Sequence, residues 1–487
     1  MTTSSRVALT KILFLSAEAS PYSKVGGLGD VSGSLPPLLS RLYPDLLDIR
    51  MVLPYHSDLN LDLTAARIVC KFQASVAYFD EYVTVWQDQA AAYPVYFLQS
   101  ETLSKSPPYS DDSTVDLIKY AMFSHLVHDF INQLQWNPDI IHANDWHTAL
   151  FIYQIGTKNF KQASKIRVKT ILSIHNLPYM GAGNKKILKS FGINPSKHQD
   201  LPDWARTIPL PMGMGQADLI TTVSSGYAQE IMTPQFGCGL EEFLKANSHK
   251  LRGILNGIDP DEWDPTADPL LTANFSHTTL QKRAANKTAL FHTFFPGIVP
   301  EHPLLIWIGR LQAQKGADIL INTLKNLITE EWHCIILGTG DPGLEEAVLN
   351  LSKQHPHKIQ AVMKFDHALS HQLYAGGDAI IMPSRYEPCG LSQMFAMRYG
   401  CLPIATATGG LKDTISDQAA AKNPDGFLFQ EATAAACSDS VKEALHLFAH
   451  DPHQWHTMQI NAMVKDFSWH RSAEEYKNVY IELWENR

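Results

Sequence analysis

Residues 383–391 read Pro-Ser-Arg-Tyr-Glu-Pro-Cys-Gly-Leu and connect the apolar run Asp378–Met382 to the segment Ser392–Arg398. The apolar run is typical of a buried parallel strand, and the segment after it is typical of a helix. In open α/β sheets, ligands bind at the carboxyl ends of strands, and a helix N-terminus favours phosphate. The pattern predicts an anion site beside Glu387, whose carboxylate could accept sugar hydroxyls, with Gly390 near the helix start. An ordinary β–α loop with a solvated glutamate is an equally simple interpretation.

The same strand-to-helix alternation precedes this stretch and predicts an α/β fold. Leu304–Ile308 is a predicted strand, and the loop that follows it carries Arg310 and Lys315. An arginine can hold two oxygens of a diphosphate, and a lysine provides a point charge. The two cations are therefore candidates for binding a diphosphate, although surface salt bridges explain them equally well from the sequence alone.

Three predicted strands in the N-terminal half also end in polar residues. They are Lys11–Ser16, Asp139–His142 and Thr170–Ile174, and a parallel sheet would bring their ends to one edge. The first leads through a glycine-rich turn into a helix predicted to begin near Asp30, and this turn is neither a Walker loop nor G-x-G-x-x-G. Taken singly, each strand end is more simply interpreted as carrying a hydrogen-bonded structural histidine or a generic glycine turn than a binding site. The candidates at these ends are Lys24, Gly26, Gly27, Asp145 and His175.

Two further stretches bear on how the chain is divided. Ile254–Asp259 predicts a strand followed by a turn, and the Pro-, Asp- and Asn-rich stretch to about residue 300 predicts the connection between two domains. Asn256 lies at this crossing, where it could contact a ligand or serve as a turn residue before glycine. Near the C-terminus, a predicted helix with Ser468 as its N-cap carries an aromatic stripe, most simply a packing face.

Length and composition limit the possible functions. A chain of 487 residues is too long for one core, so we expect two or three domains. The formal net charge of -9 argues against a nucleic-acid or anionic-membrane partner bound by bulk charge. No apolar run is long enough for a signal or a membrane span, and the six cysteines are scattered, so we expect a cytoplasmic protein. Among the 21 histidines we identify no pair at metal-ligand spacing on a helix, and we predict no metal site.

Taken together, these motifs resemble one family over nearly the whole chain: the bacterial and plant-type glycogen and starch synthases of glycosyltransferase family 5. The combination of Glu387-Pro388-Cys389-Gly390-Leu391 with the N-terminal Lys-x-Gly-Gly-Leu turn is highly specific, whereas either motif alone is only suggestive. The stretches that carry the resemblance are residues 24–31, 142–147, 175–179, 256–259, 309–316, 384–393 and 408–414.

The resemblance implies a GT-B fold, in which two facing doubly wound, Rossmann-like domains enclose a deep cleft. It places an N-terminal, acceptor-side domain at residues 8–258, joined by residues 466–487 as a C-terminal helix that crosses back onto it. Residues 259–465 would form the domain that binds the nucleotide sugar. Closure of the two domains on donor binding is expected from such an arrangement.

The implied activity is transfer of glucose from ADP-glucose to the non-reducing 4-hydroxyl of an α-1,4-glucan such as glycogen, with retention of configuration and without metal or cofactor. Fixed cations would stabilise the departing diphosphate, and Glu387 would bind the transferred glucose. By resemblance, the catalytic residues are Glu387, Arg310, Lys315 and His175; the donor-binding residues are Lys24, Gly26, Gly27, Asp30, Asn256, Tyr374, Gly390 and Leu391; and Asp145 and Asn176 orient sugar hydroxyls.

Some positions depart from the family pattern. Asn144 stands where a histidine is common, Met180 where glutamine is expected, and residues 405–407, Ala-Thr-Ala, where bacterial relatives usually carry two arginines. Phe395 occupies the position eight residues after Glu387, so the two-glutamate spacing of related transferases is absent. Because no pair of carboxylates stands out for a double displacement, we favour front-face displacement within an ion pair.

Other functions are open on the sequence alone. A UDP-glucose-dependent synthase, a nucleotide-sugar epimerase and a non-catalytic glucan- or nucleotide-sugar-binding protein are compatible with the same fold. A phosphorylase is disfavoured because no stretch resembles a pyridoxal-phosphate lysine site, and a Rossmann dehydrogenase because the first turn lacks G-x-G-x-x-G. The combined presence of Lys24, His175, Arg310, Lys315 and Glu387 argues against a decayed, non-catalytic transferase.

Overall fold

The computed structural model describes residues 9–76, 78–157 and 168–486. Its internal contacts divide the chain into two compact units. Unit 1 contains the residues up to Val223, Ala228–Ile254 and the chain from Trp469 onward, and unit 2 contains Ser224–Tyr227 and Leu255–Ser468. Apart from the short segment Ser224–Tyr227, the chain passes between units after Ile254 and after Ser468, whereas the resemblance implies boundaries after residues 258 and 465.

Unit 1 is built on a sheet that has nine strands among the described residues. They lie in the order β3-β4-β5-β2-β1-β6-β7-β8-β9, and the pairs are parallel except those that β4 makes with β3 and β5. The central strands are buried apolar runs, as expected for parallel strands in the interior of an α/β unit. The strands are β1 Thr10–Leu15, β2 Leu47–Pro54, β3 Ala66–Val76, β4 Phe79–Asp88, β5 Val95–Gln99, β6 Ile140–Asn144, β7 Lys169–Ile174, β8 Leu219–Thr222 and β9 Leu251–Gly253.

Parallel pairing places the carboxyl ends of three central strands side by side. Leu15 of β1 is in register with Ala143 of β6, and Asn144 of β6 is in register with Ser173 of β7. The loops that leave β1, β6 and β7 therefore start from one edge of the sheet. These three loops carry the N-terminal candidate residues.

The last helix, Trp469–Glu485, packs in unit 1 through its aromatic stripe. Tyr476 and Tyr480 lie in one buried cluster with Phe14 of β1, and the Tyr480 hydroxyl is hydrogen-bonded to His142 Nδ1 at 2.7 Å. Among the described residues, unit 1 has these other helical segments: Gly27–Leu42, Glu101–Ser104, Ser113–Leu134, Asp145–Gly156, Lys185–Ser190, Asp203–Thr207, Pro209–Gln216, Glu241–Ala246 and Ser248–Lys250. Ser225–Glu230 contributes residues to both units.

Unit 2 is built on a second, fully parallel sheet in the order β12-β11-β10-β13-β14-β15. Its strands are β10 Leu304–Ile308, β11 His333–Leu337, β12 Ile359–Val362, β13 Ala379–Met382, β14 Leu402–Thr406 and β15 Phe427–Phe429. Leu305 of β10 lies opposite Ala379 of β13, and Ile306 lies opposite Ile380. The loops that leave β10 and β13 therefore begin beside each other, at one edge of this sheet.

The stretch from residue 255 to about residue 300 packs into unit 2, so its prediction as a connection between domains is wrong. The buried Arg283 side chain donates to the backbone carbonyls of Tyr399, at 2.9 Å, and Tyr374, at 3.1 Å. A Pro- and Asn-rich composition indicates irregular backbone, and it does not exclude tertiary contacts. The helical segments of unit 2 are Leu280–Arg283, Ala284–Phe294, Ala313–Lys315, Ala317–Asn326, Pro342–Gln354, His367–Gly376, Ser392–Arg398, Gly409–Thr414, Ala434–His450 and Pro452–Val464.

Some local predictions also differ from the structure. Strand β9 ends at Gly253, so the strand predicted to start at Ile254 is wrong, although the Ile254 N–H still donates to the Thr222 carbonyl at 2.8 Å. The first helix begins at Gly27, before the predicted start near Asp30. Strand β3 was not predicted, because many of its side chains are exposed and the apolar signal is weak. No helix in the described part of the chain is long and apolar enough to cross a membrane.

Two helices carry histidine pairs at metal-ligand spacing, so the prediction that there is no such pair is wrong. Helix His367–Gly376 contains His367 and His371, and helix Ala434–His450 contains His446 and His450. Side chains four residues apart lie on one face of a helix, one turn from each other. The helix His367–Gly376 is short, so apolar periodicity gives little signal for it. It starts after Asp366, whose carboxylate caps it by accepting a hydrogen bond from the Leu369 N–H at 2.9 Å.

Candidate active site

In unit 2, an ion pair joins the loops that follow β10 and β13. Lys315 Nζ lies 2.8 Å and 2.6 Å from the two carboxylate oxygens of Glu387. The Ser384 hydroxyl donates to the same carboxylate at 3.1 Å. Glu387 is only 4% exposed, whereas the Lys315 side chain is 25% exposed. The carboxylate is thus held in one place, while the partly exposed Lys315 side chain has a further ammonium N–H that can donate to a ligand.

A second set of contacts holds the same loops together. Arg385 makes two hydrogen bonds of 2.7 Å to the Asp318 carboxylate, and its backbone N–H donates to the Gln314 carbonyl at 2.9 Å. The Glu387 carbonyl accepts the Gly410 N–H at 3.0 Å, which adds the loop after β14. Loops from three strands are therefore fixed around Glu387, and such support keeps a reacting group in a single geometry.

Backbone geometry explains two glycines of this site. Gly390 has a φ of 73°, in the left-handed region that glycine adopts without strain, and it precedes Leu391 and the helix Ser392–Arg398. Gly316 has a φ of 68°, and a Cβ there would overlap the Pro383 carbonyl oxygen. The fold alone accounts for both glycines, independently of any ligand.

The other candidates of unit 2 occupy different environments. Arg310 follows β10 and is exposed. Asn256 is buried, its backbone N–H donates to the Cys389 sulfur, and its Oδ1 has no hydrogen-bond partner within the described residues. Such an oxygen is suited to accept a hydrogen bond from a ligand. Tyr374 is buried against Trp263, with ring centroids 5.8 Å apart, so its ring packs inside unit 2.

In unit 1, Asn144 links His175 to the end of β1. The Asn144 amide N–H donates to the Leu15 carbonyl at 2.9 Å, so its Oδ1, 2.9 Å from His175 Nε2, is the acceptor. His175 Nε2 therefore carries the proton in this network, and Nδ1 is the unprotonated ring nitrogen. Burial lowers the pKa of His175 to about 4, so the imidazole is neutral near neutral pH.

Asp145 holds the loop that carries His175. Its backbone has a positive φ of 54°, and its carboxylate accepts the backbone N–H groups of His175, at 2.7 Å, and of Asn176. Burial raises the pKa of Asp145 to about 7, and these two hydrogen bonds partly oppose the rise. Asn176 Oδ1 is buried and lacks a hydrogen-bond partner among the residues that the structure describes. Asp145 thus positions the loop, and Asn176 offers an acceptor.

The raised pKa of Asp145 predicts a pH dependence of stability. Between about pH 4 and pH 7, the folded state keeps a proton on this carboxyl that the unfolded chain has released. The stabilising effect of this retained proton is lost as the pH rises. The wild-type protein should lose up to about 1.4 kcal/mol of unfolding free energy per pH unit relative to Asp145→Asn, which does not titrate. Thermal midpoints of both proteins across this range measure the difference, and the shared histidines cancel. A difference that does not change with pH would contradict the assignment.

The glycine-rich turn after β1 is organised by Glu18, which was not among the candidates predicted from the sequence. Its carboxylate accepts the backbone N–H groups of Val25 and Gly26 and, at 2.8 Å, the hydroxyl of Tyr109. Burial raises the pKa of Glu18, and these hydrogen bonds oppose the rise. Its position just after the first strand, where parallel sheets place ligand-binding residues, is the signal that could have identified it.

Lys24 and Asp30 face each other across this turn. Lys24 Nζ lies 2.6 Å from an Asp30 carboxylate oxygen, and both side chains are partly exposed. A Cβ added at Gly27 would meet no atom within 4 Å, so no steric conflict explains this glycine. The open space beside it would allow a ligand to approach the backbone closely.

Comparison with known proteins identifies the family. Residues 11–246 match the family described as Starch synthase catalytic domain, and residues 291–456 match the family described as Glycosyl transferases group 1. The chain is 35% identical to a glycogen synthase of Streptococcus gordonii over 97% of this chain and 100% of that relative. It is 36% identical to a glycogen synthase of Clostridium perfringens over 98% of each chain. The chain belongs to the glycogen and starch synthase family.

A solved structure of this glycogen and starch synthase family agrees with the fold. The catalytic domain of starch synthase IV from Arabidopsis thaliana, bound to ADP and acarbose, is 29% identical, with a TM-score of 0.88. The match covers 98% of this chain and 99% of that one. The prediction of a GT-B glycosyltransferase with two parallel-sheet α/β domains is therefore confirmed.

The structure also accounts for departures from the glycogen and starch synthase pattern. Asn144 supplies the acceptor that sets the tautomer of His175. Phe395, at the position of a second glutamate in related transferases, stacks on Trp263 with ring centroids 3.8 Å apart, so it is a packing residue. Thr406, in the Ala-Thr-Ala stretch of residues 405–407, is buried at the end of β14.

Proposed function

We propose that this protein is a glycogen synthase that transfers glucose from ADP-glucose to the non-reducing end of an α-1,4-glucan, with retention of anomeric configuration. The observation that carries the proposal is the Lys315–Glu387 pair, fixed at the adjacent ends of β10 and β13 in a chain of this family. The starch synthase IV domain bound to ADP supports an adenosine diphosphate leaving group. The glycogen synthase relatives support glycogen as the acceptor.

Negative charge develops on the diphosphate as its bond to the glucose C1 breaks. Lys315 is a fixed cation, because both oxygens of Glu387 lie within 2.8 Å of its ammonium group. A cation held in advance stabilises the charge of the transition state more than that of the bound donor. Arg310, exposed in the same loop, supplies a second cation. In this mechanism the two side chains provide the positive charge, and the reaction uses no metal ion or other cofactor.

Glu387 binds the transferred glucose in this mechanism and does not attack it. Its carboxylate accepts from Lys315 and Ser384, and its remaining lone pairs can accept hydrogen bonds from sugar hydroxyls. Retention follows from front-face displacement: the C1–O bond to the diphosphate breaks, the acceptor 4-oxygen bonds to C1 on the same face, and the departing phosphate oxygen takes the acceptor proton.

Hydrogen-bond acceptors of unit 1 orient sugar hydroxyls in the proposal. Neutral His175 offers Nδ1, because its Nε2–H is directed to Asn144. Asn176 offers its buried Oδ1. Asp145 positions both residues by accepting hydrogen bonds from their backbone N–H groups. His175 Nδ1 and Asn176 Oδ1 can each accept a hydrogen bond from a hydroxyl, which is the contact that a polyhydroxylated glucan provides.

The proposal includes a cytoplasmic location. All six cysteines lie in the described part of the chain, and none of them forms a disulfide. Unpaired cysteines are expected in a reducing compartment.

Glucose incorporation into glycogen from ADP-glucose and from UDP-glucose, measured in parallel, tests the proposal. We expect kcat/KM for ADP-glucose to exceed that for UDP-glucose by at least about tenfold, because the base contacts distinguish the donors. Dialysis against EDTA should leave the rate unchanged within about twofold. A preference for UDP-glucose would overturn the donor assignment alone. No incorporation from either donor, in folded protein that binds ADP, would favour an epimerase or a binding protein.

A further inference from the structure

A cluster of two histidines and one glutamate lies in unit 2, among side chains that the proposed transfer does not use. It comprises Glu262, His367 and His371, and one ligand atom of each side chain lies within 4.8 Å of those of the other two. The histidines occupy one face of the helix His367–Gly376. We infer that these three side chains bind a zinc ion.

Asp268 orients the His371 ring for coordination. Its carboxylate lies 2.7 Å from His371 Nδ1 and accepts the Tyr399 hydroxyl at 2.6 Å. Because an ionised carboxylate only accepts, Nδ1 carries the proton and Nε2 keeps its lone pair. Trp263 stacks on the same ring, with centroids 4.0 Å apart, and further fixes its plane. A carboxylate that holds the other ring nitrogen in this way is typical of histidines that bind metal ions.

Two of the three separations between ligand atoms match those of a coordination sphere, and the third lies within 4.8 Å. His371 Nε2 lies 3.4 Å from His367 Nε2, which lies 3.1 Å from Glu262 Oε1. Ligands about 2.0–2.1 Å from a tetrahedral zinc ion are about 3.3 Å from one another. The two separations lie on either side of this value, so the cluster could take up the ion with small side-chain movements.

The ligand set and its exposure indicate the kind of ion. Two imidazoles and one carboxylate suit zinc, whereas magnesium and calcium prefer oxygen ligands. His371 is buried, while the side chains of His367 and Glu262 are 48% and 49% exposed. The ion would therefore enter from solvent and keep water as its fourth ligand.

The same contacts also allow an explanation without metal. His367 could donate its Nε2–H to Glu262 and form an ordinary exposed ion pair when protonated. In that arrangement the Asp268 carboxylate only satisfies the buried donors of His371 and Tyr399, and no zinc affinity is predicted. Direct measurement of metal binding separates the two explanations, and it does so whether or not the protein transfers glucose.

Isothermal titration of the metal-free full chain with zinc chloride tests the inference. We expect one ion per chain, and at least tenfold weaker binding in His367→Gln and in Glu262→Gln. Both positions are exposed, so these variants should fold. Asp268→Asn should weaken binding about 10–100-fold, as loss of a carboxylate behind a metal-binding histidine usually does. Zinc should raise the thermal midpoint of the wild-type protein more than that of His367→Gln at the same zinc concentration.

The second histidine pair provides a matched control. His446 and His450 are also four residues apart on a helix, and their rings stack with centroids 4.3 Å apart. Within the described part of the chain, no third histidine, cysteine or carboxylate is placed to complete a metal site with them. His450→Gln should therefore bind zinc like the wild-type protein, and magnesium should not bind to either. Absence of saturable zinc binding, or equal affinity in the wild-type protein and in His367→Gln, would overturn the inference.

Discussion

Glucose transfer by the Lys315→Gln variant is expected to be about 10²–10³-fold slower in kcat than transfer by the wild-type protein. Glutamine keeps most of the side-chain length and can still donate to Glu387, so the change mainly removes a positive charge. In the variant, the negative charge that develops on the leaving diphosphate is no longer stabilised by the Lys315 ammonium group, which lies 2.6–2.8 Å from the Glu387 carboxylate in the wild-type protein. Because this interaction strengthens in the transition state, kcat should fall by more than KM rises. Steady-state kinetics with ADP-glucose and glycogen measure both constants.

An exposed ion pair of unit 1 is the matched control for this variant. Lys245 Nζ lies 2.7 Å from a Glu242 carboxylate oxygen, a distance like that between Lys315 and Glu387. Lys245→Gln should change kcat by no more than about twofold, because this exposed pair holds none of the candidate site residues and contributes little to stability. If Lys315→Gln lowers the thermal midpoint but leaves kcat of the folded protein intact, then the Lys315–Glu387 pair is structural and the catalytic assignment is wrong.

The sequence predicts which loops of unit 2 carry the site, because the end of an apolar run marks the end of a buried strand. Arg310 and Lys315 follow one such run, and Glu387 follows another. The apolar runs do not reveal the order of the strands in the sheet, and no nearby sequence feature indicates that β10 and β13 are neighbours. The cations and the acid therefore emerge from the sequence as separate candidates, and the ion pair between Lys315 and Glu387 is known only from the structure.

The residues that the sequence did not identify act through partners far along the chain. Glu18 is fixed partly by the Tyr109 hydroxyl, and His371 is oriented by Asp268. Asn144 was recognised only as a departure from the family pattern, whereas its amide joins β1 to His175. Residue type and local spacing determine which groups are available, but the tertiary fold determines which of them meet.

Glu387→Gln is expected to lower kcat/KM for glucose transfer at least about 100-fold. The substitution replaces one carboxylate oxygen by an amide N–H, so Lys315 loses its charged partner and a sugar hydroxyl loses a charged acceptor. Hydrogen bonds to an ionised acceptor are about twice as strong as neutral ones, and several depend on this single group. The transfer assay with ADP-glucose measures the loss, and Glu242→Gln, which breaks the exposed pair with Lys245, should change kcat/KM by no more than about twofold.

Glu387→Ala separates a binding role of this carboxylate from a nucleophilic one. If Glu387 attacked C1 in the wild-type protein, azide could enter the space left by alanine and bond to C1 on the face opposite the diphosphate. The product would be β-glucosyl azide, and azide would restore turnover of ADP-glucose. If Glu387 only holds the glucose through hydrogen bonds, azide cannot replace it, and no β-glucosyl azide should form.

The contacts of Glu387 with Lys315 and Ser384 favour the second outcome, because a carboxylate held on both oxygens is a poor nucleophile. Detection of β-glucosyl azide would replace front-face displacement by a double displacement through Glu387.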